Sequence, residues 1–291
     1  MSTTTMPSVD WPEAQAALRE EVRRVVDLLR SVRNPSAHAV GTWSLAEVAM
    51  HLSQAFVLVP GLARSDLSNV YEVLPSMAGL HGDSLIGDVW ELGGVTTLGV
   101  DSDPERDTRV LADRIEARAA AFLAEAATHR ADETRAWLVE GTTVPLPTLT
   151  YHLLNESIMH GSDIAKADGK PWAIKRAHAA MVFDGFIWPI FRAMNPRAMV
   201  DQKAAAGVHV VYDVRIRGGG RYRFTFDDGV LNIEPPSSER VDCHISADPA
   251  ALLMVAWGRK SQWEAIAKGQ LVAWGRKPWL GPRLRKLLRN P

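Results

Sequence analysis

Residues 207–236, GVHVVYDVRIRGGGRYRFTFDDGVLNIEPP, alternate apolar and polar side chains, with breaks at Gly218-Gly219-Gly220 and at Asp228-Gly229. A period of two puts every second side chain on one face of a sheet, and short glycine-containing breaks between such runs are hairpin turns. The stretch therefore predicts three antiparallel strands, and VDCHISA, residues 241–247, reads as a fourth. Helical spacing returns in PAALLMVAWG, SQWEAIAKG and PRLRKLLRN, so this end of the chain is an α+β module.

The residues before it have the period of helices. Leu18, Val22, Val25, Val26 and Leu29 recur at helical spacing over residues 11–31, and Asn34-Pro35 ends the run. A second helix begins with Ser44 and Glu47, an S-x-x-E capping box, and runs over 44–58. A third spans 104–128 behind Pro104. A fourth, over 148–167, follows Pro145 and Pro147 and stops at Gly169 and Pro171. A fifth, over 173–194, carries Pro189, where a kink is expected. Residues 60–100, rich in Gly, Ser and Asp, read as a long loop or short helices. The expected fold is α+β in two domains, a helical bundle over 1–196 and a smaller α+β domain over 207–291; a chain of 291 residues is long for one compact core.

Charge and cysteine usage exclude several classes. The formal net charge is -1 and the pI about 6.8, so no global basic field draws in nucleic acid. Arg283, Arg285, Lys286 and Arg289 read as a solvated helix face. The one cysteine, Cys243, can form no internal disulfide, and its residue type suits a small buried hydrophobe. The start, MSTTTMPSVDWPEAQ, lacks the basic and apolar regions of a signal peptide, and no run of about 18 apolar residues predicts a membrane span. A cytoplasmic protein is expected; the oligomeric state is left open. Trp172, Trp257, Trp274 and Trp279 read as core or interface anchors.

The helix over 148–167 carries the chemistry. At about 100° per residue, His152, Glu156, His160 and Asp163 fall within an arc of roughly 80°, flanked by Leu149, Leu153 and Ile164. A solvated face would mix in Lys and Arg, and only Lys166 lies near. The strip is either the polar face of an ordinary helix or a set of metal ligands. His and Glu four apart reach one ion from one helix face, and a third ligand must come from elsewhere. His51, at the edge of the apolar arc of the capped helix, is the best candidate; His38, His81, His129 and His178 lie in turn-like or charged stretches. Asp163 is placed either to orient a ligand histidine or to cap neighbouring backbone, and His152 either to support a ligand from behind or to shuttle a proton. Arg215, Arg217, Arg221 and Arg223 alternate along the predicted hairpin. They form either a solvated sheet face or a grip for a carboxylate of substrate or cofactor, with Arg221 and Arg223 the chosen pair.

TWSLAEVAMHL, residues 42–52, and LLNESIMHGSDIA, residues 153–165, resemble the two signature segments of the DinB-like, mycothiol-dependent maleylpyruvate isomerase family. The segment from Ile245 to Leu288, with its G-x-L-x3-G stretch at 269–275, is similar to the sterol-carrier (SCP2-like) domain. Together the resemblances cover the chain except roughly 60–100. They imply a four-helix bundle that holds a divalent metal, zinc in the family, through His51, Glu156 and His160. The same ligand set suits non-haem Fe(II). They imply mycothiol as the thiol cofactor and a small electrophilic substrate, which the thiolate isomerises or keeps by S-transfer. Two other readings stay open: an SCP2-like carrier of lipid or small molecules with a non-catalytic bundle, and a DinB-like stress protein with a structural metal.

Overall fold

A computed structural model describes residues 10–289, and the described residues form two compact units, 10–174 and 175–289. The reading of residues 1–9 as no signal peptide lies outside the described residues.

The first unit is built on four long helices: α1 (Trp11–Arg30), α2 (Leu45–Arg64), α5 (Thr108–Ala126) and α6 (Pro147–Ala167). Asp10 caps α1 by accepting from the Glu13 amide at 2.9 Å. The stripe read from the sequence is its buried face, with Leu18, Val25 and Leu29 fully covered. α1 packs on α5 and α6, and α2 packs on the same two helices. Each buried Leu or Val on these faces stabilises the unit by about 1.5–3 kcal/mol relative to exposure.

The capping box at the start of α2 is formed: the Ser44 amide donates to Glu47 at 2.7 Å, and the Glu47 amide donates back to the Ser44 hydroxyl at 3.4 Å. α2 runs to Arg64, beyond the expected end at 58, with Pro60 inside it. It is the one helix among the described residues long and apolar enough to cross a membrane. However, 72% of that apolar window is buried inside the protein, as in the core helix of a packed unit. Residues between α2 and α5 form α3 (Ser68–Val73) and α4 (Leu92–Ser102), and Leu67, Val70, Ile86 and Val100 bury this segment. Two short antiparallel pairs went unread in the sequence: β1 (His38–Val40) with β2 (Trp43–Ser44), and β3 (Thr134–Ala136) with β4 (Thr143–Pro145).

The expected fifth helix is present but lies in the second unit. It consists of α7 (Arg176–Val182), a π-helical turn over Phe183–Ile187, and α8 (Trp188–Ala193). The π turn sits just ahead of Pro189, whose missing N–H breaks the regular ladder. Asp184, in that turn, holds the segment to the sheet, accepting from the Gly220 amide at 2.9 Å and from the Tyr222 hydroxyl at 2.5 Å. Trp188 packs edge-on against Phe224, ring centroids 4.9 Å apart. These contacts make 176–193 part of the sheet's core, whereas its helical period alone had assigned it to the bundle.

The sheet has the order β7-β6-β5-β8-β9, from β5 (His209–Ile216), β6 (Arg221–Asp227), β7 (Val230–Glu234), β8 (Cys243–Ala247) and β9 (Leu271–Trp274). Only the β5–β8 pairing is parallel. The β6–β7 turn places Asp228 and Gly229 at φ 45° and 80°, the left-handed pair a two-residue hairpin demands. α9 (Pro249–Ala256) and α10 (Gln262–Ala267) lead to β9, and α11 (Gly281–Leu287) follows it. β9 is a fifth strand absent from the sequence reading; four residues, LVAW, leave no alternation to see. Phe183, Trp188, Phe224, Ile245, Leu252 and Leu284 line a cavity of about 310 Å³ in this unit. Trp274 and Trp279 are not the anchors expected: they are 46% and 63% exposed.

Candidate metal centre

α2 and α6 bring His51, Glu156 and His160 to one point. One ligand atom from each lies within 4.8 Å of the others, the single such group among the described residues. Glu156 Oε2 is 3.3 Å from His51 Nε2 and 3.3 Å from His160 Nε2. Ligand atoms at about 2.0–2.1 Å from one tetrahedral zinc lie about 3.3 Å apart, which the two Glu156–His separations match. The His51 and His160 rings meet edge to face, 4.7 Å between centroids. All three side chains are nearly covered, at 13–15% exposure.

The placement has local causes. Glu156 and His160 stand four apart on α6, and the Ser44–Glu47 cap starts α2 less than two turns before His51. Trp43, beside that cap, packs against the His51 ring at 5.3 Å. Asn155 Nδ2 donates to Glu156 Oε1 at 3.2 Å, so the far oxygen is held while the near one faces the two imidazoles. Neither Trp43 nor Asn155 was singled out in the sequence. Trp43 sits inside the T-W-S-L segment next to the cap, which was the available signal; Asn155 had none beyond adjacency to Glu156.

The other two residues of the strip lie on either side of the triad. Asp163 is buried, with Oδ2 3.4 Å from His160 Nδ1, long for a hydrogen bond but within ion-pair reach. His152 Nε2 lies 3.7 Å from Glu156 Oε1, and its ring is 6.1 Å from Trp137. Burial opposes charge at Glu156 and at the three histidines. At Glu156 the hydrogen bonds of His160 and His51 outweigh that burial and hold the carboxyl well below its usual range. Burial would lower His160 as well, but the Asp163 and Glu156 carboxylates outweigh it and raise the imidazole to about 9. For His51 and His152 burial wins, and both are lowered. Burial thus favours the neutral form at His51 and His152, while the neighbouring carboxylates favour the charged form at His160. Two imidazoles and one carboxylate form the donor set of an open zinc or Fe(II) site.

The remaining candidates lie elsewhere. Arg221 grips Asp213 through Nε and Nη2 at 2.6 and 2.8 Å, and His244 Nδ1 donates to the same carboxylate at 2.6 Å. Arg223 meets Glu239 at 3.0 Å and Ser237 at 3.3 Å. Both arginines belong to the second unit and already hold acidic or polar partners there. His38 contacts the Gly41 carbonyl, His81 contacts Glu140 and His129 contacts Glu133. Cys243 is buried, and burial pushes its thiol up to about 11, which disfavours the thiolate that acts as nucleophile.

Two family models match the chain. The mycothiol maleylpyruvate isomerase N-terminal domain covers residues 15–165. The SCP-2 sterol transfer family covers residues 191–275. Among solved structures, the mycothiol-dependent maleylpyruvate isomerase is 16% identical, covering 91% of this chain and 93% of that one, with a TM-score of 0.46. A histidine-to-alanine mutant of that isomerase gives 14% identity, the same coverages and a TM-score of 0.46. A stereoselective inverting sec-alkylsulfatase from Pseudomonas sp. is 16% identical with a TM-score of 0.30; the match covers 50% of this chain and 24% of the sulfatase. No curated protein matches the chain.

Proposed function

This chain belongs to the mycothiol maleylpyruvate isomerase family, and on that premise we propose that it is an isomerase or S-transferase using mycothiol on a small electrophilic substrate, with a divalent metal, zinc, held by His51, Glu156 and His160. The observation that carries the reading is the convergence of the three ligand atoms within 4.8 Å. A divalent ion at these atoms would hold a small thiol as its thiolate, the nucleophile that isomerisation of an activated double bond requires.

The chain's own residues prepare the site. Asn155 fixes the Glu156 carboxylate, turning Oε2 toward the two imidazoles. Asp163, on the Nδ1 side of His160, keeps the Nε2 side of that ring for the ion. The Trp43 and Trp137 rings pack beside His51 and His152. His152, kept neutral by burial, can take up a proton at Nε2 beside Glu156 Oε1. Arg221 and Arg223 are proposed to hold an anionic group of thiol or substrate, in competition with Asp213 and Glu239. The four long helices are read as the DinB-like bundle of the family, and a cytoplasmic location fits a thiol cofactor that must stay reduced.

The test is metal analysis of the purified protein, then isomerisation of maleylpyruvate with and without mycothiol. The unaltered protein is expected to carry one equivalent of metal and to turn over only with the thiol. Glu156→Ala should lose both; full metal stoichiometry in that variant would refute the ligand assignment. One observation favours a second reading. The apolar cavity of the second unit suits a carrier of apolar ligands, and apolar material co-purifying with a metal-free, inactive protein would support it.

A further inference from the structure

The chain's near-zero net charge hides a segregation. Residues 276–289 carry six Lys or Arg and no acid, while the rest of the chain carries 27 cations against 34 acids. This segment lies beyond residue 275, where the second family match ends. Arg276 and Lys277 are engaged by Asp242, at 3.7 and 2.9 Å. The other four are on or just after α11. On that helix Leu287 is buried and Leu284 lines the cavity, as does Leu288 beyond its end, while Arg283 and Lys286 are exposed. Arg285 and Arg289 line the cavity themselves.

Two exposed tryptophans are sequence neighbours of residues that line the same cavity. Trp279, 63% exposed, follows the lining residue Pro278, and Trp263, 60% exposed, follows the lining residue Gln262. Exposed indoles beside cations are the pattern of a protein surface at a membrane interface: the ring sits at headgroup depth and the cations meet anionic lipid. A nucleic acid would satisfy the cations but offers nothing for an apolar cavity of about 310 Å³ lined by Phe183, Trp188 and Leu252. Lipid satisfies both.

We propose that this face of the second unit, Trp263 and Trp279 with the α11 cations, docks on an anionic lipid surface. The interaction is peripheral, needs no membrane-spanning segment and does not depend on the metal reading. The test is flotation of the full chain with vesicles of phosphatidylcholine alone and of phosphatidylcholine mixed with phosphatidylglycerol. The expected result is binding to the mixed vesicles only, loss of binding at high salt, and a blue shift of tryptophan emission on binding. The Arg283→Gln/Lys286→Gln double variant should bind about 25-fold more weakly, since each cation near an anionic surface contributes about fivefold. Its melting temperature should stay unchanged. If that variant melts early, Trp279→Ala and the salt titration of the unaltered chain decide instead. Equal binding to both vesicle types, no binding to either, or undiminished binding by the variants would overturn the proposal. Retention on duplex DNA without vesicle binding would assign the patch to polyanions and overturn it as well.

Discussion

At Glu156 the two carboxylate oxygens have separate duties: Oε2 meets His51 and His160, and Oε1 meets Asn155 and His152. The outer partners are therefore testable apart from the ligands. Asp163→Asn keeps the shape but removes the charge beside His160 Nδ1, and zinc affinity should fall about 10- to 100-fold by chelator competition. Unchanged affinity would leave Asp163 a purely structural role. Proton competition gives a second prediction. Metal must displace the proton that His160 retains up to about pH 9, while His51 is lowered and Glu156 lies far below. Zinc affinity should thus rise about tenfold per pH unit between 7 and 9 and level off above, as read by chelator competition at each pH. A flat profile would mean that His160 binds no metal or holds no proton. The α6 strip was legible because ligand spacing on one helix is a matter of period alone. That His51 joins it depends on how α2 packs against α6, which no single-helix pattern contains. Asn155 stayed hidden because a buried amide between Leu154 and Glu156 looks like any polar residue until its partner is seen.

Among the elements, α6 depends on a glycine that spacing alone would not single out. A Cβ on Gly161 would come within 2.5 Å of the Trp172 ring, and that ring lies under the Arg24 guanidinium, 4.1 Å away. Arg24 in turn pairs with the fully buried Glu21 at 2.6 Å, so Trp172 is held from α1 and cannot easily move aside. Gly161→Ala should therefore cost about 1–3 kcal/mol by overpacking. That corresponds to a fall in Tm of roughly 2–12 °C. Because His160 is the preceding residue, metal affinity should fall with it. The double variant with Trp172→Ala should recover part of the loss in both calorimetry and metal titration; simple additivity would exclude the clash. The long helices and the β6–β7 hairpin were readable because their signals, period, cap and Asp-Gly turn, are local. The short pairs β1–β2 and β3–β4, and β9, were not, since two to four residues cannot display a period. The helical segment over 176–193 was readable as helix but not as part of the sheet's core, because that depends on Asp184 meeting Gly220 and Tyr222 some forty residues on.

On the scale of the molecule, the chain holds two cores of different character. The first unit is packed mainly by Leu, Val and Ile from its four long helices, and the second by Phe183, Trp188, Tyr212, Tyr222, Phe224 and Phe226 around one sheet. The sequence showed both as a change of period. It hid the charge segregation, because a net charge near zero averages the cationic 276–289 with the acidic remainder. All three ligands of the candidate centre lie in the first unit, on α2 and α6, so metal binding should stabilise that unit specifically. An ion bound at a thousand times its Kd adds about 4 kcal/mol to whatever unfolds with the site. Hydrogen exchange before and after chelation can locate that contribution. Amides of α2 and α6 should lose up to three orders of magnitude of protection, while those of β5, β6 and β8 should keep theirs, because no ligand comes from the sheet. Equal loss in the sheet would mean that the two cores open as one cooperative unit, and metal would then govern the stability of the whole chain. No loss anywhere would mean that the three side chains hold no ion and that their convergence serves packing alone.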